Sequence, residues 1–512
     1  MVSSGRLFVG VFLPVAAMLS LAQAGRHFHL LRQQILEQRE ERLLKEDNFV
    51  RLDQGVSLTK WDHFMENFIR QPLDHFNKKN RATFNQQYWV NTGFWRPDGP
   101  VFLFIGGEGR LSEYVLLRGH HVNLAEKYGA LLLALEHRFY GGSLKPEMLE
   151  DRNLQYLSSQ QALSDLVSFH WFITEKYKLT PNNTWICFGG SYPGSLAAWF
   201  RLKFPHLVFG AVASSAPVRA QLDFTGYHKV VAASLSNPVI NGSKECLDAV
   251  TEAFSAVEEL VRSGQLDKLD KDFHSCLPLG GLKDSLMLIN NLASMFMAIV
   301  QYNGEGVEWA NVGSICKTMT NHNTGSAYQR LVETNNMVVS GIKIACLDNS
   351  YAAFIEEMSN PKFFSMDMME RQWIYQTCTE FGYFQTCEDP ACPFSRLVNL
   401  RFQMDVCKQV FNISDRNAQE AVSFTNEYYG ADHPKASHVL FVNGDVDPWH
   451  VLSVLKDQSL SELAIVINGT AHCANMDSPL PTDPLPLVEA RKKITSQVGE
   501  WLELARKTQQ NS

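Results

Sequence analysis

The stretch Thr184-Trp185-Ile186-Cys187-Phe188-Gly189-Gly190-Ser191-Tyr192-Pro193-Gly194 decides the fold. Its first five residues are a short apolar run of the kind that fills a buried strand. The residues after it, Ser195-Leu196-Ala197-Ala198-Trp199-Phe200-Arg201, read as a helix. Between them lies a glycine-rich turn with a serine at its apex. Such a turn lifts a hydroxyl clear of the sheet and leaves the next backbone N–H beside it. The usual pattern is Gly-x-Ser-x-Gly, and Pro193 stands where the second glycine belongs. A proline in the first turn of a helix is tolerated, because its fixed φ suits the helix and its missing N–H would have no partner there. Gly189, Gly190 and Gly194 remain as the small residues that a close strand–helix crossing needs.

Working outward, Gln87-Tyr88-Trp89-Val90 and Pro100-Val101-Phe102-Leu103-Phe104-Ile105 read as strands, the second ending in Gly106-Gly107-Glu108-Gly109. Ala130 to Leu135 is another buried strand, followed by Glu136-His137-Arg138-Phe139-Tyr140-Gly141. Ala162, Leu166, Phe169, Ile173 and Tyr177 recur at helical spacing. Val208 to Ala213 is the next strand. Strands alternating with helices predict a parallel sheet with right-handed crossovers. The rhythm stops at 218–434, where helical patterns dominate, and resumes with strands at His438 to Gly444 and Leu463 to Ile467 and a closing helix over 485–506. The expected architecture is therefore an α/β-hydrolase fold in two parts, 61–217 and 435–512, interrupted by a large helical cap insertion.

Bulk properties set the class. A chain of 512 residues gives a soft prior of about three domains. The 45% hydrophobic and 20% charged content is ordinary for a globular protein. A net charge of −8 offers no footprint for nucleic acid. Arg6, the apolar run Leu7 to Ala22 and the small residues of Ala22-Gln23-Ala24 have the layout of a secretory signal over 1–24. The run is shorter than the roughly 20 residues of a spanning helix. The charged segment 25–60 carries Leu30, Leu31, Ile35, Leu43 and Leu44; it reads as a removable pro-segment or, more simply, as a solvated surface helix.

Export favours disulfides for most of the ten cysteines, eight of which lie between Cys246 and Cys407. The insertion is thus disulfide-braced, with pairing unreadable from sequence. A zinc site at Cys378, Cys387 and Cys392 is the weaker alternative, since paired ligand spacings are missing. Cys187 in the central strand reads as a buried free thiol. Sequons at Asn182, Asn241, Asn412 and Asn468 agree with export. No cofactor and no metal is implied. Oligomeric state is not readable, and a homodimer stays open.

Three strand ends carry Ser191, Asp447 and His472, the chain order of a Ser–Asp–His triad on this fold. A serine hydroxyl is a weak nucleophile and needs an imidazole to take its proton, and the imidazole needs a carboxylate to fix its tautomer. Asp445 competes with Asp447, and His450 with His472. Pro448 makes Asp447 the more constrained acid, and His472 follows the last strand. The oxyanion donors are expected from Tyr192 N–H and from the glycine loop at Gly107. Glu108 could hold a substrate amine or pair with Arg138. Glu136, His137 and Arg138 read as a structural polar network.

At these residues the chain resembles the serine peptidase family that includes lysosomal Pro-X carboxypeptidase and dipeptidyl peptidase II. The resemblance rests on Gln71-Pro72-Leu73-Asp74-His75-Phe76, Glu136 to Gly141, Gly189-Gly190-Ser191-Tyr192, Asn443-Gly444 with Asp447-Pro448-Trp449, Ala471-His472, and Trp373, Tyr375, Gln376, Cys378, Thr379 and Glu380. It implies a serine exopeptidase of endosomes, lysosomes or cytoplasmic vesicles acting on peptide substrates, with Trp449 either lining the S1 pocket or packed as a core tryptophan. Similarity to the thymic member implies a role in making peptides for class II presentation to CD4 T cells. The compartment implies an acidic optimum. Pro193 and Cys473 replace a glycine and a histidine of the better-known members, which weakens transfer of a proline preference. The other readings are an esterase or lipase on the same machinery, or a non-catalytic binding module.

Overall fold

The computed structural model describes residues 28, 30–38, 64–304, 307, 309–362 and 370–510. The predicted signal over 1–24 and much of 25–60 lie outside them. Eight strands form one sheet: β1 (Phe64–Pro72), β2 (Thr83–Asn91), β3 (Val101–Ile105), β4 (Leu131–Leu135), β5 (Trp185–Gly190), β6 (Gly210–Ser214), β9 (Val439–Gly444) and β10 (Glu462–Ile467). Their order is β1-β2-β4-β3-β5-β6-β9-β10. From β4 to β10 every neighbouring pair is parallel. The purely parallel sheet expected from sequence needs correction at one end, where β1 pairs antiparallel with β2 and β2 with β4. The strand expected from Val208 starts two residues later, at Gly210, and the closing helix runs on to Leu485–Gln510.

The central strands are apolar throughout because both faces are covered. Alternate residues point to opposite sides. Leu103, Leu133, Cys187, Ala213 and Phe441 pack into one core with the helices Ser159–Tyr177 and Tyr192–Lys203. Phe102, Leu132, Phe188, Val212 and Leu440 pack into a second core with the helices His120–Tyr128 and Leu485–Gln510. The chain steps from β3 to β4 on one side and then crosses to β5 on the other. That reversal opens a crevice at the carboxyl ends of β3 and β5, where ligands bind in open α/β sheets.

Between β6 and β9 the chain is mostly helical and forms the cap. Its longest helices are Lys244–Arg262 and Leu282–Gln301. The two short strands β7 (Gln221–Asp223) and β8 (Gly382–Phe384) pair in parallel at its base. Four disulfides brace it: Cys246–Cys316, Cys276–Cys346, Cys378–Cys407 and Cys387–Cys392. The three cysteines weighed as a zinc site are therefore all in disulfides. Cys187 is a buried free thiol, as expected, and Cys473 is also free.

Candidate active site

β5 ends at Gly190, and Ser191 caps the helix Tyr192–Lys203 with φ 64° and ψ −138°. A left-handed φ at a residue with a side chain is strained, and it bends the strand-to-helix turn at Ser191 into a sharp elbow. Ser191 N–H donates to Ser214 O at 2.9 Å, tying the elbow to β6. Pro193 falls in the first turn of the helix, as its chemistry requires. The glycines are needed for space. A Cβ on Gly189 would lie 2.2 Å from Pro193 O, and one on Gly194 2.7 Å from Ser214 O.

Asp447 follows β9 and His472 follows β10. Asp447 Oδ1 accepts from Trp449 N–H at 3.0 Å, capping the short helix Pro448–Leu452. Its Oδ2 faces His472 Nδ1 at 2.9 Å, and both side chains are buried. The competing residues are occupied elsewhere. Asp445 Oδ1 accepts from Gly469 N–H at 2.7 Å, and His450 Nδ1 sits 2.6 Å from the Asp447 carbonyl. Burial alone would push the His472 imidazole down. The Asp447 carboxylate and the neighbouring Cys473 outweigh it and hold the imidazole well above 6.5.

The loop after β10 is locked to the elbow. Cys473 N–H donates to Ser215 Oγ at 2.9 Å, and a Cβ on Gly190 would lie 2.7 Å from Cys473 Sγ. From the cap, Gln301 O accepts the His472 N–H at 3.0 Å. Gln301 Oε1 accepts from Trp449 Nε1 at 2.9 Å and from Tyr227 OH at 2.7 Å. Tyr302 meets the His472 ring edge-on, 6.1 Å between centroids. Sequence reading missed Gln301 and Tyr302, because a glutamine and a tyrosine at the end of an apolar helix carry no motif.

On the other side of the elbow, Gly106 N–H is committed to Leu135 O at 2.9 Å. Tyr192 opens its helix, where an N–H has no intrahelical partner. The Tyr192 ring is buried, with its hydroxyl 3.0 Å from His137 Nε2 and accepting from Gln376 Nε2 at 3.2 Å. Burial pushes His137 down to about 4. Arg138 grips Asp165 through two nitrogens at 2.6 and 2.7 Å. Glu136 accepts from Ser143 N–H and Oγ, both at 2.7 Å. All three are buried and hydrogen-bonded within the scaffold, the structural role expected of them, though their side chains go to separate partners. Glu380 in the cap accepts from Ser159 Oγ at 2.6 Å, and burial raises it to about 7.

Ser191 opens into a cleft of about 190 Å³ between sheet and cap, lined also by Glu108, Tyr302 and Trp449. Trp449 is both buried and at the cleft wall. Two expectations need correction here. Glu108 pairs with Arg32 at 3.2 Å, and Arg138 is taken by Asp165. The segment holding Arg32 is not a merely solvated helix. Residues 28 and 30–38 are helical, Leu31 and Ile35 are fully buried, and Phe28 and Arg32 line the cleft. Burying each of those two aliphatic side chains stabilises docking by roughly 1.5–3 kcal/mol.

The four sequon asparagines are exposed. Among the described residues no helix is long and apolar enough to cross a membrane.

The model of the family described as serine carboxypeptidase S28 matches residues 71–494. The human thymus-specific serine protease is 43% identical over 449 residues, covering 86% of this chain and 87% of the relative. Bovine lysosomal Pro-X carboxypeptidase is 28% identical, covering 85% and 87%. Among solved structures, the proline iminopeptidase of Mycobacterium smegmatis aligns over 86% of this chain and 98% of its own, at 11% identity and a TM-score of 0.35.

Proposed function

Since the chain belongs to the serine carboxypeptidase S28 family, and is thereby a serine-type peptidase, we propose that Ser191, Asp447 and His472 form its catalytic triad and that it acts as an exopeptidase. The observation that carries this is the buried Asp447–His472 pair at 2.9 Å, with the next residue, Cys473, packed against Gly190 of the turn that holds Ser191 at φ 64°. In this reading His472 takes the Ser191 proton as the hydroxyl attacks a peptide carbonyl, then returns it to the leaving amine. Water repeats the cycle on the acyl-enzyme. Tyr192 and Gly107 N–H groups hold the oxyanion, since Gly106 N–H is already spent. Trp449 supplies an apolar wall for the residue preceding the scissile bond.

The paired cysteines and the exposed sequons support a place in the secretory pathway, and we assign it to endosomes, lysosomes or cytoplasmic vesicles. The likeness to the thymic relative supports a role in supplying peptides for class II presentation to CD4 T cells. Fluorophosphonate labelling of the purified protein tests the catalytic reading. Wild type should label and Ser191→Ala should not; equal labelling of both would sink it, as would none in either.

A further inference from the structure

We propose that Glu108 anchors the α-ammonium of a peptide substrate, and that Arg32 of the N-terminal helix sits in that place as the chain's own stand-in, occluding the site. The inference rests on the catalytic reading above and names what the cleft binds.

Glu108 stands one residue beyond Gly107, on the loop that borders the elbow. Its side chain is only 10% exposed. A carboxylate this withdrawn from water needs a cationic or hydrogen-bonding partner. The partner comes from outside the α/β scaffold: Arg32 Nη2, at 3.2 Å, reaching across 76 positions of sequence. One face of the helix makes this possible. Leu31 and Ile35, one turn apart, are buried in the core, and Phe28 and Arg32, also one turn apart, enter the cleft.

The charge of the cleft points the same way. Among its described lining residues Arg32 is the single lysine or arginine, whereas Glu108 and Glu370 are both acidic. With the helix withdrawn, the described lining offers the Glu108 carboxylate and no lysine or arginine. That suits the amino end of a peptide and not its carboxyl end. Arg32 is also an imperfect tenant, because its buried Nε has no hydrogen-bond partner. An unsatisfied buried donor weakens occupancy, so a substrate ammonium can displace it.

The experiment uses the full chain and three readouts: the rate of fluorophosphonate labelling, kcat/KM on matched peptides with free or acetylated amino termini, and the melting temperature as a fold control. Arg32→Ala should speed labelling and raise kcat/KM for the free-amine peptide by about 10-fold, the scale of one charge-assisted contact. Arg32→Gln serves if the alanine variant melts early. In Glu108→Gln the ratio of free to acetylated kcat/KM should collapse towards one. An unchanged or slower labelling rate in the Arg32 variants overturns the occlusion. An unchanged ratio in Glu108→Gln overturns the anchor. Loss of Ser191-dependent label from every variant removes the catalytic reading and this inference with it. Label present with a flat ratio removes this inference alone.

Discussion

Asp447 divides its two oxygens between tasks. Oδ1 caps the turn that follows β9 and Oδ2 faces His472. The capped turn fixes where the charge sits, and the charge sets when the imidazole can act. In the proposed triad a protonated imidazole cannot take the Ser191 proton, so kcat/KM should fall as pH drops through the His472 pKa. That pKa is held well above 6.5, burial being outweighed by Asp447 and Cys473. The acid limb of kcat/KM should therefore lie above pH 6.5. Asp447→Asn should lower kcat by about 10⁴-fold, the size of a tautomer defect. A limb below pH 6 in a pH–rate profile would contradict this assignment. The direction also pulls against the acidic optimum that an endosomal or lysosomal address suggests.

At the level of elements, the elbow helix and the loop after β3 meet at one contact. A Cβ on Gly107 would lie 2.3 Å from Pro193 Cγ, so the proline ring already fills the space a side chain would need. Gly107→Ala must push the loop and its N–H away from the oxyanion position. Loss of one such donor costs about 10²–10³ in kcat. Pro193→Gly should have little effect alone and should restore most of the loss in the double variant; a double variant as slow as Gly107→Ala would show that the contact is not the cause. The strands around this contact were legible because β3, β4 and β5 are buried on both faces and read as unbroken apolar runs. β1 was not, because it lies at the sheet edge and most of its residues face water. β7 and β8 are three residues each, too short to carry a period. The triad candidates stood at strand ends and could be ordered from sequence. Arg32 could not, since only the docked fold reveals which face of a charged helix is buried.

For the molecule as a whole, buried histidines set the response to acid. Burial holds His120 down to about 3 and His121, His137, His170 and His228 to about 4. Unfolded, each would bind a proton near 6.5, so the stability they contribute is lost as pH falls from 6.5 towards 4. Glu136 and Glu380, raised by burial to about 7, act oppositely, and their contribution is lost as pH rises from about 4.5 to 7. His472, also raised, joins them on that side. His438 is also held down, and Glu462 and Asp223 are also pushed up, so six groups stand against five and the balance favours the histidines. The melting temperature should be lower at pH 5 than at pH 7; calorimetry showing the reverse would refute this balance. The same long-range construction bears on how the protein is made. Synthesis runs from the amino terminus, and domains fold as units while it proceeds. The helix that carries Arg32 leaves the ribosome before Ser191, and β9 and β10 come last. The sheet order allows this, since β9 and β10 add onto the free edge of β6. A nascent chain thus holds Ser191 without the base proposed for it until the final strands are translated, and under the occlusion proposed above the cleft they complete already holds Arg32. The polypeptide would pass through the secretory pathway without an interval as an open protease.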